Sequence, residues 1–401
     1  MSRSTRLTVQ QPDPEESAGL EAAVLSRYAR GAEAVEPALC CPTDGYDAQY
    51  LKIIPQEILE KDYGCGDPSR HVGEGETVVD LGSGAGKICY ILAQKVGANG
   101  RVIGLDFNDA MLDLARSYAD EMAGKLGYQN FTFHKAKIQD MALDLDAAHQ
   151  WLTANPVTGV EQLARFEAWC DQTRQERPLV PDDSVDAIVS NCVLNLVKPE
   201  QKRRLFGEMF RVLRTGGRAV ISDIVCDEQP TEAMQNDPDL WSGCISGAFR
   251  EDRFLAMFEE AGFHGVEILS RSEQPWQTIN GIEFRAMTVR AHKGDAGPCM
   301  ERNQAVVYKG PWKQVRDDDG NVYHRGERMA VCAKTYQMLN DPAGPYAEQV
   351  IGVEPGVPVP ADAAETFDCS RPIHRSPQQT KRGQAEATDA VDDACAGGSC
   401  C

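Results

Sequence analysis

The sequence lacks the long apolar runs of membrane and secreted proteins. No stretch approaches ~18 uninterrupted apolar residues, so no transmembrane helix is predicted. The opening residues, MSRSTRLTVQQPDPEESAG, contain no apolar core of the kind that signal peptides have. These two absences lead us to expect a cytoplasmic protein.

Basic residues are scarce relative to acidic ones. The 401 residues include 41 Lys and Arg against 61 Asp and Glu, which gives a net charge of −20. Because so acidic a surface repels nucleic acids and anionic membranes, neither is expected as a partner. The chain is long enough for two or three domains, each with a buried core.

The familiar zinc-binding motifs are missing as well. No two cysteines have the spacing C-x₂-C, and none of the seven histidines lies in H-E-x-x-H, so zinc fingers and zincins gain no support. The chain nevertheless has 14 cysteines. A reducing compartment disfavours structural disulfides, so this surplus of thiols indicates soft-ligand binding or redox chemistry.

The most informative stretch that is present is TVVDLGSGAG at residues 77–86. Two valines favour a buried parallel strand, which Asp80 ends. Three glycines then alternate with small residues, so the backbone can turn tightly and approach a ligand closely. A helix predicted from Lys87 directs its N-terminal N–H groups at that loop. The pattern is the first strand–loop–helix unit of a nucleotide-binding α/β sheet.

The glycine spacing, D-x-G-x-G-x-G, resembles that of class I methyltransferases, which bind S-adenosylmethionine. In dinucleotide folds, by contrast, the third glycine comes one residue later. The second predicted strand ends in Asp106, 20 residues after Gly86 (106 − 86), where a carboxylate can accept hydrogen bonds from both ribose hydroxyls. An unrelated nucleotide-binding or purely structural βαβ unit is the alternative.

Further cofactor contacts follow from the same resemblance. The turn after the third strand is expected beside the adenine ring, with Ile138 on the ring and Gln139 or Asp140 bonded to its amino group. Tyr63 is either a packing aromatic or a wall of the sulfonium site. The predicted cofactor-binding residues are Tyr63, Asp80, Gly82, Ser83, Gly84, Gly86, Asp106, Asn108, Met111, Ile138, Gln139 and Asn191.

Strands and helices alternate from residue 77 onward. Strands are predicted at 77–81, 101–105, 131–136, 184–190, 218–225 and near 264–270 and 284–291, and helices at 87–96, 109–126, 199–213 and, as a pair, 238–262. This alternation predicts an α/β fold, a doubly wound, Rossmann-like sheet with helices on both faces. Residues 141–180 interrupt it as a helical insertion, which three aromatic residues are expected to bury against the core: Trp151, Phe166 and Trp169.

Composition divides the remaining chain into segments around this sheet domain, residues 77–294. A disordered N-terminus (1–19) precedes a helical segment with cysteine loops (20–76). A small C-terminal domain of short strands is expected at 299–360, followed by a disordered tail, 361–401, that ends in CAGGSCC.

Three cysteines stand out by their placement. Cys65 lies between two glycines, which predicts a flexible turn that exposes its thiol. Cys192 follows the fourth strand, at the sheet edge where α/β proteins bind ligands, and the chain returns to that edge near Cys244. Six other cysteines are predicted to be structural: Cys89, Cys170, Cys226, Cys299, Cys332 and Cys369.

The motifs DYGCGDP, VSNCVLNL and CISGAF, together with DLGSGAGKICY, resemble those of arsenite S-adenosylmethionine methyltransferases. The resemblance extends from about Cys40 to Cys332. It implies that Cys65, Cys192 and Cys244 hold trivalent arsenic as thiolates, with arsenite and then methylarsonous acid as substrates. It also implies that Cys41 or Cys40 takes part in redox cycling, with thioredoxin or glutathione as the thiol reductant.

The proposed ligands suit the chemistry independently of the resemblance. Soft thiolates match a thiophilic centre, and As(III) has three bonding positions and a lone pair that can attack a sulfonium methyl group. No proton has to be removed from the nucleophile, so no general base is required. Two alternatives remain open: a methyltransferase for a small organic acceptor, and an arsenic-binding protein without enzymatic activity.

Overall fold

The computed structural model describes residues 14–36, 39, 45–295, 297–357, 359–369 and 372–381. The chain divides into two compact units, Met1–Lys293 and Gly294–Cys401. Within the described residues, no helix has both the length and the apolar character needed to cross a bilayer. The predicted redox residues Cys40 and Cys41 lie outside the described residues, as does the CAGGSCC end of the tail.

The first unit is built around one large sheet. Its elements, in chain order, are α1 (Pro14–Glu33), α2 (Ala48–Leu51), α3 (Gln56–Glu60), β1 (Thr77–Leu81), α4 (Lys87–Val96), β2 (Arg101–Asp106), α5 (Asp109–Ser117), α6 (Ala119–Leu126), β3 (Phe131–Lys135), α7 (Leu145–Ala154), α8 (Val160–Glu176), β4 (Val185–Asn191), α9 (Pro199–Val212), β5 (Leu213–Cys226), α10 (Glu232–Gln235), α11 (Pro238–Ser242), β6 (Phe249–Arg250), α12 (Glu251–Glu260), β7 (Phe263–Arg271), β8 (Gln277–Ile279) and β9 (Ile282–Lys293).

The main path through the sheet has the order β3-β2-β1-β4-β5-β9-β7. Strands β1 to β5 are parallel, whereas β9 runs antiparallel to both β5 and β7. Apolar side chains are buried on both faces of the sheet, so the predicted doubly wound α/β fold is confirmed. The strand order reverses between β1 and β4, which places a ligand-binding crevice at their carboxyl ends.

Most elements lie within two residues of their predicted bounds, and β1 and α4 match to the residue. The helix predicted over 109–126 is instead two helices that meet at Tyr118, which has φ −100° and ψ 1°. The Tyr118 hydroxyl donates to Glu57 at 2.6 Å, a tertiary contact that helical periodicity does not reveal. Strand β5 begins at Leu213, five residues before the predicted start at 218 (218 − 213), and so includes the pair Gly216 and Gly217.

The N-terminus is more ordered than predicted, because α1 begins at Pro14 within the segment 1–19 that was expected to be disordered. A proline is favourable in the first turn of a helix, because its missing N–H needs no partner there. Composition alone does not reveal this local preference for the start of a helix.

The insertion at 141–180 is helical, as predicted, and consists mainly of α7 and α8. Its three aromatic side chains pack on one another, with ring centroids 5.6–6.2 Å apart. All three remain half-buried, so the expectation that they bury the insertion against the core is wrong. These ring contacts join the two helices, since Trp151 belongs to α7 and the other two residues belong to α8.

The described part of the second unit contains short strands and two α-helices. In chain order these are β10 (Met300–Glu301), β11 (Ala305–Tyr308), β12 (Gln314–Arg316), β13 (Val322–His324), β14 (Arg328–Ala330), α13 (Ala333–Asn340), β15 (Val350–Val353), β16 (Glu365–Thr366) and α14 (Pro377–Thr380). Strands β14, β11 and β15 form one sheet, and β10 pairs with β16. Both β16 and α14 lie within residues 361–401, which were predicted to form a disordered tail. The predicted start of that tail, residue 361, is therefore too early in the chain. A ladder between residues 64 (365 − 301) and 66 (366 − 300) positions apart leaves no local sequence signal.

Candidate active site

The glycine loop after β1 follows a path that only glycine adopts readily. Gly82 and Gly86 have φ values of +67° and +89°. A Cβ added to Gly82 would lie 2.4 Å from Val193, and one added to Gly86 would lie 2.9 Å from Phe133. Substitution at either position therefore strains the backbone and collides with a neighbour. The loop is fixed by its surroundings before any ligand arrives.

A cavity opens at the carboxyl ends of β1, β2 and β4. Of the twelve predicted cofactor-binding residues, all except Gly86 line it, and Gly86 instead begins α4 against Phe133. Gln139 is part of this lining, whereas the alternative adenine contact, Asp140, is paired with Arg174 and Arg204. The structure thus brings the predicted cofactor residues together, while their roles remain a prediction.

Two aspartates line the cavity, of which Asp80 is buried and Asp106 is half-buried. Asp106 accepts hydrogen bonds from the backbone N–H of Gly84 and of Asn108, each at 2.8 Å, yet burial still raises its pKa above the usual value. Burial, helped by the charges of Asp62 and Asp106, raises the pKa of Asp80 to about 8. A cationic ligand next to these groups favours their ionised forms, so the pocket is electrostatically suited to a sulfonium.

Helix α1 covers the cavity, which the sequence did not reveal. Glu21 forms ion pairs with Lys137 at 2.6 Å and with Lys198 at 3.3 Å, and the Asn108 side chain donates to the Leu25 carbonyl at 2.9 Å. Burial raises the pKa of Glu21, but the two lysines outweigh that effect, so its pKa lies below the usual value. The apolar spacing of α1 indicates a helix face that packs on something, but not what it covers.

Replacing Glu21 with Gln is expected to weaken S-adenosylmethionine binding about two- to fivefold. The reason is that partly exposed ion pairs contribute up to about 1 kcal/mol each and here hold α1 across the cavity. Titration calorimetry measures the change, which should shrink as salt is added. The matched control is Glu33→Gln at the exposed C-terminal end of the same helix. An equal loss in both variants would contradict a specific role for Glu21.

Cys65 lies in a buried, well-held turn, so the prediction of a flexible turn with an exposed thiol is wrong. The Asn191 side chain accepts from the N–H groups of Cys65 and Gly66 at 2.8 and 3.1 Å and donates to the Gly66 carbonyl at 2.8 Å. A Cβ on Gly64 would lie 2.1 Å from Asn191. The glycine beside Cys65 is therefore required for close packing, not for mobility, and Cys65 is only 6% exposed.

Cys192 and Cys244 share an unusual backbone conformation. Both have φ of +61°, a region in which residues other than glycine are uncommon. Asn195 supports this geometry by donating to the carbonyls of Ile224 at 2.7 Å and Cys244 at 3.3 Å. The Cys244 thiol donates to the Cys192 carbonyl at 3.3 Å. Such strain persists only where the surroundings enforce it, and it is concentrated at functional sites.

The three predicted arsenic ligands converge beside the cofactor cavity. Cys65 and Cys192 are joined by a disulfide with their Cα atoms 5.9 Å apart, and Cys192 itself lines the cavity. Tyr28 of α1, which the sequence did not single out, places its hydroxyl 3.6 Å from the Cys244 sulfur. In this oxidised form two of the three thiols are unavailable as ligands, so a thiol reductant must first open the bond.

A doubly wound sheet with a glycine loop after β1 and a crevice at the carboxyl ends of β1, β2 and β4 is the architecture of a class I, S-adenosylmethionine-dependent methyltransferase. A family model described as a methyltransferase domain matches residues 73–158 and 162–262, and a domain of unknown function matches 295–385.

An arsenite methyltransferase from Halobacterium salinarum is 32% identical over 296 residues, which cover 68% of this chain and 64% of that protein. One from Aquipseudomonas alcaligenes is 28% identical over 319 residues, 75% of this chain and 81% of the relative. The crystal structure of an arsenic(III) S-adenosylmethionine methyltransferase from Chlamydomonas reinhardtii aligns with a TM-score of 0.51 and 25% identity, covering 86% of this chain and 100% of that one. The chain belongs to the arsenite methyltransferase family.

Proposed function

We propose that this protein transfers methyl groups from S-adenosylmethionine to trivalent arsenic, first arsenite and then methylarsonous acid, held by Cys65, Cys192 and Cys244. The observation that carries the proposal is the convergence of these three cysteines beside the cavity that the predicted cofactor residues line. A disulfide between two of them fits a site whose thiols alternate between ligation and oxidation.

The catalytic cycle begins with reduction. A thiol reductant, thioredoxin or glutathione in a cytoplasmic setting, opens the bond between Cys65 and Cys192. Three thiols then displace the three oxygens of arsenite as water, and each thiol loses a proton from a group whose ordinary pKa is about 8.5. The arsenic lone pair is left facing the cavity.

S-adenosylmethionine supplies the electrophilic methyl group. The protein contributes positioning, because the strained backbones of Cys192 and Cys244 fix where arsenic is held. It also excludes water: α1 covers the cavity, and buried Trp241 lines it. Since the sulfonium loses its charge during transfer, a dry site favours the transition state.

After transfer the arsenic is pentavalent. Two electrons from a pair of thiolates return it to the trivalent state and leave a disulfide, which the external reductant opens again. The described residues supply one such pair, Cys65 and Cys192. Cys41 or Cys40 remains the partner implied by the family resemblance.

The direct test is incubation with arsenite, a dithiol and S-adenosylmethionine, followed by chromatographic arsenic speciation and measurement of S-adenosylhomocysteine. Methylated arsenic and S-adenosylhomocysteine should appear together, and Cys244→Ser should abolish both. Cys170→Ser is the matched control, since this buried cysteine belongs to α8 in the insertion.

Two other outcomes would overturn the proposal. S-adenosylhomocysteine formation that needs a small organic acceptor and survives replacement of all three thiols would indicate a carbon or oxygen methyltransferase. Arsenite binding without any S-adenosylhomocysteine would indicate a binding protein.

A further inference from the structure

The second unit contains a cluster of three cysteines far apart in sequence. Cys299 directly precedes β10, and Cys369 follows β16. The antiparallel pairing of these strands, extended by a 2.8 Å hydrogen bond from the Phe367 N–H to the Cys299 carbonyl, brings the two segments together. Cys332 is the N-cap residue of α13. The three sulfur atoms all lie within 4.8 Å of one another.

The sequence predicted each of these cysteines to be structural, because they are separated by 33 (332 − 299) and 37 (369 − 332) residues and match no spaced motif. Only the fold makes them neighbours. They lie in the region matched by the domain of unknown function and are separate from the three cysteines of the proposed active site.

The cluster has the environment of a ligand site. Cys332 is buried, whereas Cys299 and Cys369 are half-buried, so a small solute can reach the sulfur atoms. The Thr335 hydroxyl lies 3.1 Å from the Cys332 sulfur, and both residues line a small cavity together with Cys369. Cys332 is also at the N-terminus of an eight-residue helix, where the helix dipole stabilises a thiolate.

We propose that Cys299, Cys332 and Cys369 form a second binding site for trivalent arsenic, distinct from the site of methyl transfer. Three thiolates fill the three bonding positions of As(III) and leave its lone pair unshared. Zinc in a structural site requires four ligands, and no histidine or carboxylate joins the three sulfurs in the described part of the chain.

Binding at this site requires no redox partner. Arsenous acid and three thiols give the arsenic trithiolate and three waters, so three As–O bonds and three S–H bonds are exchanged for three As–S bonds and the O–H bonds of water. Arsenic stays trivalent throughout. The bound arsenic connects β10, β16 and the start of α13. It therefore stabilises segments that are otherwise held together only by short secondary-structure elements.

The test uses the full chain with Cys65, Cys192 and Cys244 replaced by serine, so that methyl transfer plays no part. After incubation of the reduced protein with arsenite and removal of unbound arsenic, elemental analysis gives the arsenic retained per chain. Adding Cys332→Ser or Cys369→Ser should remove one equivalent, with at least a tenfold loss of affinity. Cys170→Ser, a buried cysteine of the first unit, is the matched control and should leave retention unchanged.

Two measurements keep the result interpretable if a variant folds poorly. Circular dichroism reports folding, and alkylation mapping of the parent chain requires no substitution at all. Arsenite should protect Cys299, Cys332 and Cys369 together from iodoacetamide, and X-ray absorption of the triple-serine chain should include an arsenic centre with three sulfur neighbours.

Unchanged arsenic retention in both added variants, or no joint protection in the parent, would overturn the proposal. So would zinc held by these thiols that arsenite fails to displace. Each of these outcomes leaves the proposed methyl transfer intact, because that activity is assayed separately in the chain that retains Cys65, Cys192 and Cys244.

Discussion

Cys65→Ser is expected to lower the rate of arsenite methylation by about 100-fold, the size of effect produced when a reacting centre is misplaced. Methylation of methylarsonous acid by the same variant should continue near the parent rate. The difference follows from valence: arsenite offers three positions to thiolates, whereas methylarsonous acid offers two because carbon occupies the third.

The structure indicates why Cys65 is the ligand that the second substrate does not require. Cys192 and Cys244 are connected to each other through the hydrogen bond from the Cys244 thiol to the Cys192 carbonyl, and both have the same constrained backbone. Cys65 belongs to a separate turn ahead of β1, held by Asn191. Its loss therefore leaves the other two ligands in place.

Single-turnover assays with each substrate, read by arsenic speciation, measure this difference. Cys192→Ser and Cys244→Ser should each lose both reactions, and Cys170→Ser should lose neither. If Cys65→Ser methylates arsenite at the parent rate, the three-thiolate site is wrong.

Asp106→Ala is expected to weaken S-adenosylmethionine binding by ~1–3 kcal/mol, since two ribose hydroxyls lose their acceptor. That loss corresponds to a dissociation constant roughly 5- to 150-fold higher. The Asp106 carboxylate also accepts from the N–H groups of Gly84 and Asn108, so its removal loosens the glycine loop as well.

Calorimetric titration of S-adenosylmethionine into both proteins provides the measurement. Asp109→Ala is a suitable control, because this carboxylate lies three residues further on (109 − 106), is 70% exposed and pairs with Lys135 at the surface. Unchanged affinity in Asp106→Ala would refute its assignment to the ribose.

A sequence pattern reports on neighbouring positions, whereas a tertiary structure also reports contacts between distant residues. The glycines around the site illustrate this difference. For β1 and α4 the sequence alone was sufficient, because apolar runs and glycines are read over a few neighbouring positions. The same reasoning misread the glycine next to Cys65 as a source of mobility, since the Asn191 side chain that fills its place is 127 residues away (191 − 64). A glycine can indicate either mobility or close packing, and the residue that packs against it in the fold decides which.

The sequence by itself determined the fold class, the cofactor loop and the three cysteines of the proposed active site, because each is encoded in a short motif. Tertiary structure decided that Cys65 and Cys192 form a disulfide, that α1 covers the cavity through Glu21, and that Cys299, Cys332 and Cys369 come together. These features depend on contacts between residues tens to more than a hundred positions apart. Such contacts are set by how strands pair and helices pack, and no local pattern records them.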